Sequence, residues 1–236
     1  IAVLPFAYDA DGVVIGADAP FVGLEEPLQP IPPKVTALTG LTQEMISGAM
    51  LDDAEIETAV GAASIVIAHN AAFDRKFLER RFPFFERLPF GCSMTQVSWE
   101  DEGYEGKKLA YLMMGAGFFH DAHDAAGDCA AAATLLAQML PTSGRTALSH
   151  VLEATDTPTR RIWAVGAPYA VRRVLKSAGY RWNAGEDGRP KAWFKDAPPC
   201  EENAECSFLA MEVYRGAFGQ PRVVDIDAFS RFSSRA

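Results

Sequence analysis

The spacing of hydrophobic and polar positions changes several times along the chain, and each change marks an element. Residues 1–8 and 12–21 read as extended segments joined by Asp9-Ala10-Asp11-Gly12, whose Asp-Gly pair is a strong hairpin signal and predicts an antiparallel pair. A proline-rich stretch (Pro27, Pro30, Pro32, Pro33) breaks the pattern, and residues 52–60 then read as a short helix. The β-branched run Ser64-Ile65-Val66-Ile67-Ala68 has the length of a buried strand and stops at His69-Asn70. Over residues 71–82 the spacing becomes helical, with Phe73, Phe77, Leu78 and Phe82 on one side and Arg75, Lys76, Glu79 and Arg80 on the other. This predicts an amphipathic helix with its aromatic stripe toward a core. Residues 125–140 form an alanine-rich helical pattern with Cys129, Ala132, Ala133, Leu136 and Leu140 on one stripe, stopped by Pro141.

Beyond residue 141 the chain is polar as far as residue 159 and reads as a linker. A strand at 161–165, a helix at 169–178 ended by Gly179, a hairpin over 180–194, a helix at 201–215 and a strand at 222–226 follow. The order β-α-β-β-α-β predicts a smaller α+β unit of ferredoxin-like type. The expected organisation is an α/β domain over residues 1–145, a linker over 146–159 and the small domain over 160–236.

Composition narrows the classes. With 49% hydrophobic and 22% charged residues among 236, the chain is neither a disordered tail nor a collagenous repeat nor a small disulfide scaffold. Its four cysteines show no Cys-x-x-Cys spacing, so neither a zinc ribbon nor a disulfide framework is predicted, and a reducing cytoplasm fits. No run of 18 apolar residues and no signal-peptide pattern is visible, so a soluble, cytoplasmic protein without a membrane partner is expected.

The net charge of −9 argues on its face against a nucleic-acid partner. It is unevenly spread. Residues 160–195 hold nine basic and two acidic side chains, a local +7, leaving −16 for the rest. Tyr180, Trp182, Trp193 and Phe194 are interleaved with these cations. Cations that neutralise phosphates and aromatics that stack bases are the two components of single-strand binding, which makes Arg181, Trp182, Lys191 and Trp193 candidate accessory contacts. The tryptophans serve equally well to fill the core of so small a domain.

Two clusters carry candidate chemistry. His69-Asn70-Ala71-Ala72-Phe73-Asp74 lies where the strand passes into the helix, at the carboxyl edge of a sheet, where open α/β folds bind ligands. Asp74 falls in the first helical turn, a position that also suits plain complementation of the helix dipole. The second cluster, His120-Asp121-Ala122-His123-Asp124-Ala125-Ala126-Gly127-Asp128, opens the alanine-rich helix. Asp121 or Asp124 as helix cap explains part of it. Asp128, one turn inside an Ala/Leu/Cys helix where aspartate has poor propensity, calls for a further reason.

These two clusters, together with Leu38-Thr39-Gly40-Leu41-Thr42, resemble the DEDD-type 3′–5′ exonucleases of the histidine branch, the family of the epsilon proofreading subunit of bacterial DNA polymerase III. The resemblance covers about residues 1–140 and implies a ribonuclease H-like mixed sheet flanked by helices. It implies two divalent ions, Mg2+ or Mn2+, held by four carboxylates, of which Asp74 and Asp128 match the third and fourth. It makes His123, five residues before Asp128, the general base, since the same spacing from His120 would reach Ala125. Leu38, Thr39, Gly40, Thr42, His69, Asn70 and Phe73 match positions near the 3′-terminal nucleotide. The implied substrates are single-stranded 3′ ends of DNA or RNA, released as nucleoside 5′-monophosphates, in repair or general turnover.

The family's first motif, an Asp-x-Glu on a central strand, has no counterpart here: Asp9-Ala10-Asp11 falls in a turn and Glu25-Glu26 in a proline-rich loop. That strand would lie between the one beginning at Ile1 and the one at residues 64–68. The expectation is that the sequence lacks an N-terminal stretch of roughly 15 to 20 residues, one strand and its turn. The alternative is a non-catalytic nucleic-acid-binding protein of the same fold that has lost this motif.

Overall fold

The predicted hairpin forms, and its turn is fastened from outside. The computed structural model describes residues 1–119, 124–185, 188–216 and 219–235. Strands β1 (Ala2–Val3) and β2 (Phe6–Tyr8) run antiparallel to β4 (Phe21–Val22) and β3 (Val14–Ala17), with a register shift at Ala7/Tyr8. Gly12 closes the turn at φ +74°, where its carbonyl accepts from Thr146 Oγ1 at 2.7 Å. A Cβ at this position would lie 2.9 Å from Ser149, so glycine is required both by the backbone and by the close approach.

Helices α1 (Pro33–Thr39), α2 (Gln43–Ile46) and α3 (Asp53–Gly61) follow, α3 capped by the Asp52 carboxylate, which accepts from the amides of Ala54 and Glu55. Strand β5 (Val66–Ala68), α4 (Ala71–Arg81) and β6 (Phe90–Cys92) make a parallel strand-helix-strand unit. Then come α5 (Leu109–Gly115), α6 (Ala125–Ala137) and α7 (Ala147–Asp156). Among the described residues the hairpin and the β5–β6 pair form separate ladders. A cleft of about 450 Å3 lies between residues 6–10 and 62–64, bridged where the Tyr8 hydroxyl meets Ser64 Oγ at 2.8 Å.

Three sequence expectations change here. Residues 147–156, read as linker, are α7, whose Ala147, Leu148 and Val151 are buried in one core with Trp99, Leu112, Met113, Ala131, Leu135 and Leu136. The segment is amphipathic, and the polar residues around it masked a three-residue apolar stripe. Helix α6 likewise buries Ala131, Leu135 and Leu136, a stripe rotated from the predicted one, and it ends at Ala137.

The third change is the largest. Helix α4 buries Ala71, Arg75 and Glu79 and leaves Phe73 60% and Phe77 50% exposed, so its apolar stripe is split, with Leu78 half-buried and Phe82 buried against the core. Arg75 and Glu79 can be buried because residues 228–235 supply hydrogen-bond partners for both.

The C-terminal unit is built as its element order predicts. Strands β7 (Thr159–Val165), β8 (Arg181–Trp182), β9 (Trp193–Ala197) and β10 (Gln220–Ile226) form one antiparallel sheet in the order β10-β7-β9-β8. Each strand-helix-strand crossover therefore straddles one strand, the split βαβ arrangement. The crossovers are α8 (Arg172–Ser177) and α9 (Glu202–Phe208), the latter continuing as a π-helical turn over Leu209–Tyr214. Ile162, Ala164, Ala197, Leu175, Leu209 and Val213 fill the core between sheet and helices. Past β10, residues 227–235 leave this unit and pack on the first one, with Phe232 in the core around Ile56, Phe82, Phe85 and Phe90.

Candidate active site

The strand-to-helix junction after β5 is tightly determined. His69 is held on both ring nitrogens, Nδ1 with Ser93 Oγ at 2.9 Å and Nε2 with the Lys107 carbonyl at 2.8 Å. Asn70 follows at φ +82°, a left-handed conformation that asparagine tolerates better than most side chains, and it turns the chain into α4. Asp74 lands in the first turn of that helix. Burial pushes its carboxyl above the usual aspartate range, a cost that a nearby cation would offset.

Helix α6 brings the second carboxylate. Asp124 is its N-cap and accepts from the Gly127 amide at 3.0 Å, the capping role expected for it, while Asp128 sits in the first turn. The neighbouring Cys129 thiol donates to the Ala2 carbonyl at 3.5 Å, so the first turn of α6 is anchored to β1. Burial raises the Cys129 pKa, and the charges of Asp128 and Asp74 raise it further. Burial lowers that of His69, a change opposed by its bond to Lys107 and by the charge of Asp128. The charge of Asp128 thus acts on both the Cys129 thiol and His69, and that of Asp74 on the thiol.

His123, the expected general base, lies outside the described residues, as do His120 and Asp121. The stretch 38–42 has structural duties of its own: Gly40 ends α1 at φ +73° and Thr42 caps α2 by accepting from the Met45 amide. Thr39 Oγ1 bonds back to the Val35 carbonyl, whereas Leu38 is 54% exposed. Phe73 is exposed and packs on Phe77 with ring centroids 4.9 Å apart.

The donor chemistry fits a hard divalent cation, since Asp74 and Asp128 offer carboxylate oxygens. The count is short of a cage: among the described residues no group of three or more His, Cys, Asp or Glu side chains could hold a metal.

The four accessory candidates do not share a face. Trp182 and Trp193 are paired across β8 and β9 on the helix-covered side, their rings 5.7 Å apart, with Trp193 half-buried against the core. Arg181 is opposite Phe194 on the other side and pairs with Asp196 at 3.2 Å. The local +7 is also partly answered: Arg161 and Arg181 meet Asp196, Lys195 meets Glu205, and Arg160 meets Glu202 and Asp225. These acids lie just beyond residue 195, so counting over 160–236 gives thirteen basic against nine acidic residues, +4. Lys191, Arg173 and Lys176 remain exposed.

Sequence reasoning missed Ser93, Cys129 and the buried pair Arg75 and Glu79. Only the last left a signal, an Arg and Glu four apart on one helix face.

The family profile described as Exonuclease (RNase T) matches residues 11–136. The chain belongs to this exonuclease family. Its first unit is the ribonuclease H-like α/β fold of the family. Among solved structures, Exonuclease X in complex with 5′ overhanging duplex DNA matches at 22% identity and a TM-score of 0.47, over 65% of this chain and 88% of that one. No curated protein matches. Among the described residues, no helix is long and apolar enough to cross a membrane.

Proposed function

We propose that this exonuclease removes nucleotides from single-stranded 3′ ends of DNA or RNA in a reaction that depends on Mg2+ or Mn2+, releasing nucleoside 5′-monophosphates. What supports this reading is membership of the exonuclease family together with Asp74 and Asp128 in the first turns of two different helices, the charges of both raising the pKa of the Cys129 thiol. Asp74 and Asp128 would hold a divalent ion, which when bound supplies charge stabilisation at the scissile phosphate. His69, fixed at both nitrogens, is a rigid wall of the site. Asn70 and the exposed Phe73 lie where a terminal nucleotide would rest, with Leu38, Thr39, Gly40 and Thr42 as a second contact region. His123 is assigned as the general base that takes the proton of the attacking water.

The C-terminal unit is proposed as an accessory contact for single strands through Lys191 and the half-exposed Trp182, with Arg181 and Trp193 in supporting positions. The ion pairs within the unit limit how many phosphates it can neutralise.

A second reading, non-catalytic nucleic-acid binding, is favoured by one observation: among the described residues no three His, Cys, Asp or Glu side chains are grouped so as to hold a metal. A single assay separates the two. The protein, with any coding sequence that precedes Ile1 retained, is incubated with matched 5′-labelled DNA and RNA oligomers, with and without Mg2+. A metal-dependent ladder shortening from the 3′ end, lost in Asp74→Asn and Asp128→Asn, supports the exonuclease; binding without hydrolysis supports the alternative.

A further inference from the structure

Helix α4 carries Asp74 and, at the next position, an arginine with unusual surroundings. Arg75 is fully buried, and a guanidinium has five N–H donors. All five are used. Nε donates to Glu79 Oε1 at 2.7 Å, Nη1 to the carbonyls of Ala228 and Arg231 at 2.9 and 3.0 Å, and Nη2 to those of Phe229 and Leu88 at 2.6 and 3.3 Å. Three of the five acceptors belong to the segment that follows β10. Glu79, 7% exposed, also accepts from Ser233 Oγ at 2.5 Å and Arg235 Nη2 at 2.8 Å of the same segment.

The segment is seated elsewhere as well. The Ala228 carbonyl accepts from the Phe90 amide of β6 at 2.9 Å, and Arg231 donates to the Ala154 and Thr157 carbonyls at the end of α7. Phe232 holds φ +69°, a strained conformation for a bulky side chain that persists only when its surroundings over-determine it. The last residues of the chain thus run from the C-terminal sheet to the helix of the candidate metal site and supply most of the partners of its buried charges.

We propose that Arg75 is a positioning residue through which the seating of residues 227–235 sets the placement of Asp74, and so couples the C-terminal unit to the exonuclease site. The proposal rests on reading Asp74 as a metal ligand. Consecutive helical residues are 1.5 Å apart along the axis, so α4 cannot shift at Arg75 without carrying Asp74 with it. A displacement of about 1 Å at a reacting centre costs on the order of 100-fold in rate. Glu79 completes the arrangement by linking Arg75 to Ser233 and Arg235.

The test uses the full chain with Ser233→Ala/Arg235→Ala, which leaves Arg75 and its carbonyl acceptors in place, and with Arg75→Lys, which keeps the charge but not five donors. Hydrogen exchange of residues 71–81 is followed, with residues 202–208 as internal control, and Mn2+ binding is measured by electron paramagnetic resonance. The expected result is exchange in α4 faster by about tenfold or more, together with Mn2+ affinity weakened by about tenfold, and the control helix unchanged. Faster exchange with unaltered Mn2+ affinity overturns the proposal, leaving the segment as a stabilising clasp only, and unaltered exchange overturns it outright. Wild-type Mn2+ binding that is insensitive to Asp74→Asn overturns the metal-ligand reading and the coupling with it, while the exchange data still report whether the segment holds the helix.

Discussion

Arg75 Nε and Glu79 Oε1 meet at 2.7 Å across one turn of α4, with both side chains buried. A buried ion pair is costly to break by removing one partner, because the other charge is then left in a low dielectric. Arg75→Ala is expected to destabilise the protein by about 3–5 kcal/mol, read from urea unfolding. A loss under about 1 kcal/mol would show that the five hydrogen bonds are not maintained in solution.

The same pair predicts a pH dependence. Burial alone would raise the pKa of Glu79, but its bonds to Arg235, Ser233 and Arg75 outweigh this and hold it below the ordinary carboxylate value. A carboxylate with a lowered folded pKa contributes stability that is present above its unfolded pKa and is lost as pH falls through the folded value. Unfolding free energy should therefore decline on acidification below about pH 4.3, the unperturbed value, and part of that slope should vanish in Glu79→Gln.

Asp74 has the opposite sign. Its carboxyl is pushed up by burial, so its contribution is favourable at low pH and turns unfavourable as pH rises through the folded pKa. Asp74→Asn is expected to raise the melting temperature at pH 7 relative to wild type, with the gain disappearing near pH 3. Nuclease turnover should fall by about 100-fold or more in the same variant. A variant both destabilised at pH 7 and fully active would contradict this placement.

His123→Ala is expected to lower turnover by about 100-fold or more while leaving Mn2+ affinity within about threefold of wild type. Steady-state kinetics beside a metal titration checks it. A near-normal rate would remove His123 from the role of general base.

Gly12 offers a test of the fold alone. At φ +74°, with a Cβ position 2.9 Å from Ser149, Gly12→Ala is expected to cost about 1–3 kcal/mol in unfolding experiments. The hairpin tip is tied to α7 by the Thr146 bond to the Gly12 carbonyl, so that helix should lose hydrogen-exchange protection with it.

Much of this protein was legible in the sequence because it depends on neighbours along the chain. The Asp-Gly turn, the β-branched strand before His69, the Asp52 and Asp124 caps and the β-α-β-β-α-β order each follow from local spacing and backbone preference, and the structure contains all of them. The placement of Asp74 and Asp128 in first turns was readable for the same reason. The orientation of α4 was not. Its pattern puts Phe73 and Phe77 inward, yet Arg75 and Glu79 occupy the interior, because their partners are some 150 residues distant in the chain and no local periodicity encodes them. The acids that quench the basic stretch come from β9, α9 and β10, and only pairing across the sheet and against its helix brings them to Arg160, Arg161 and Lys195. Local preference therefore determined the elements and where the carboxylates sit within them. Long-range hydrogen bonding and desolvation decided which face of α4 is inside, because the free energy of a buried charge depends on acceptors that only the folded chain supplies.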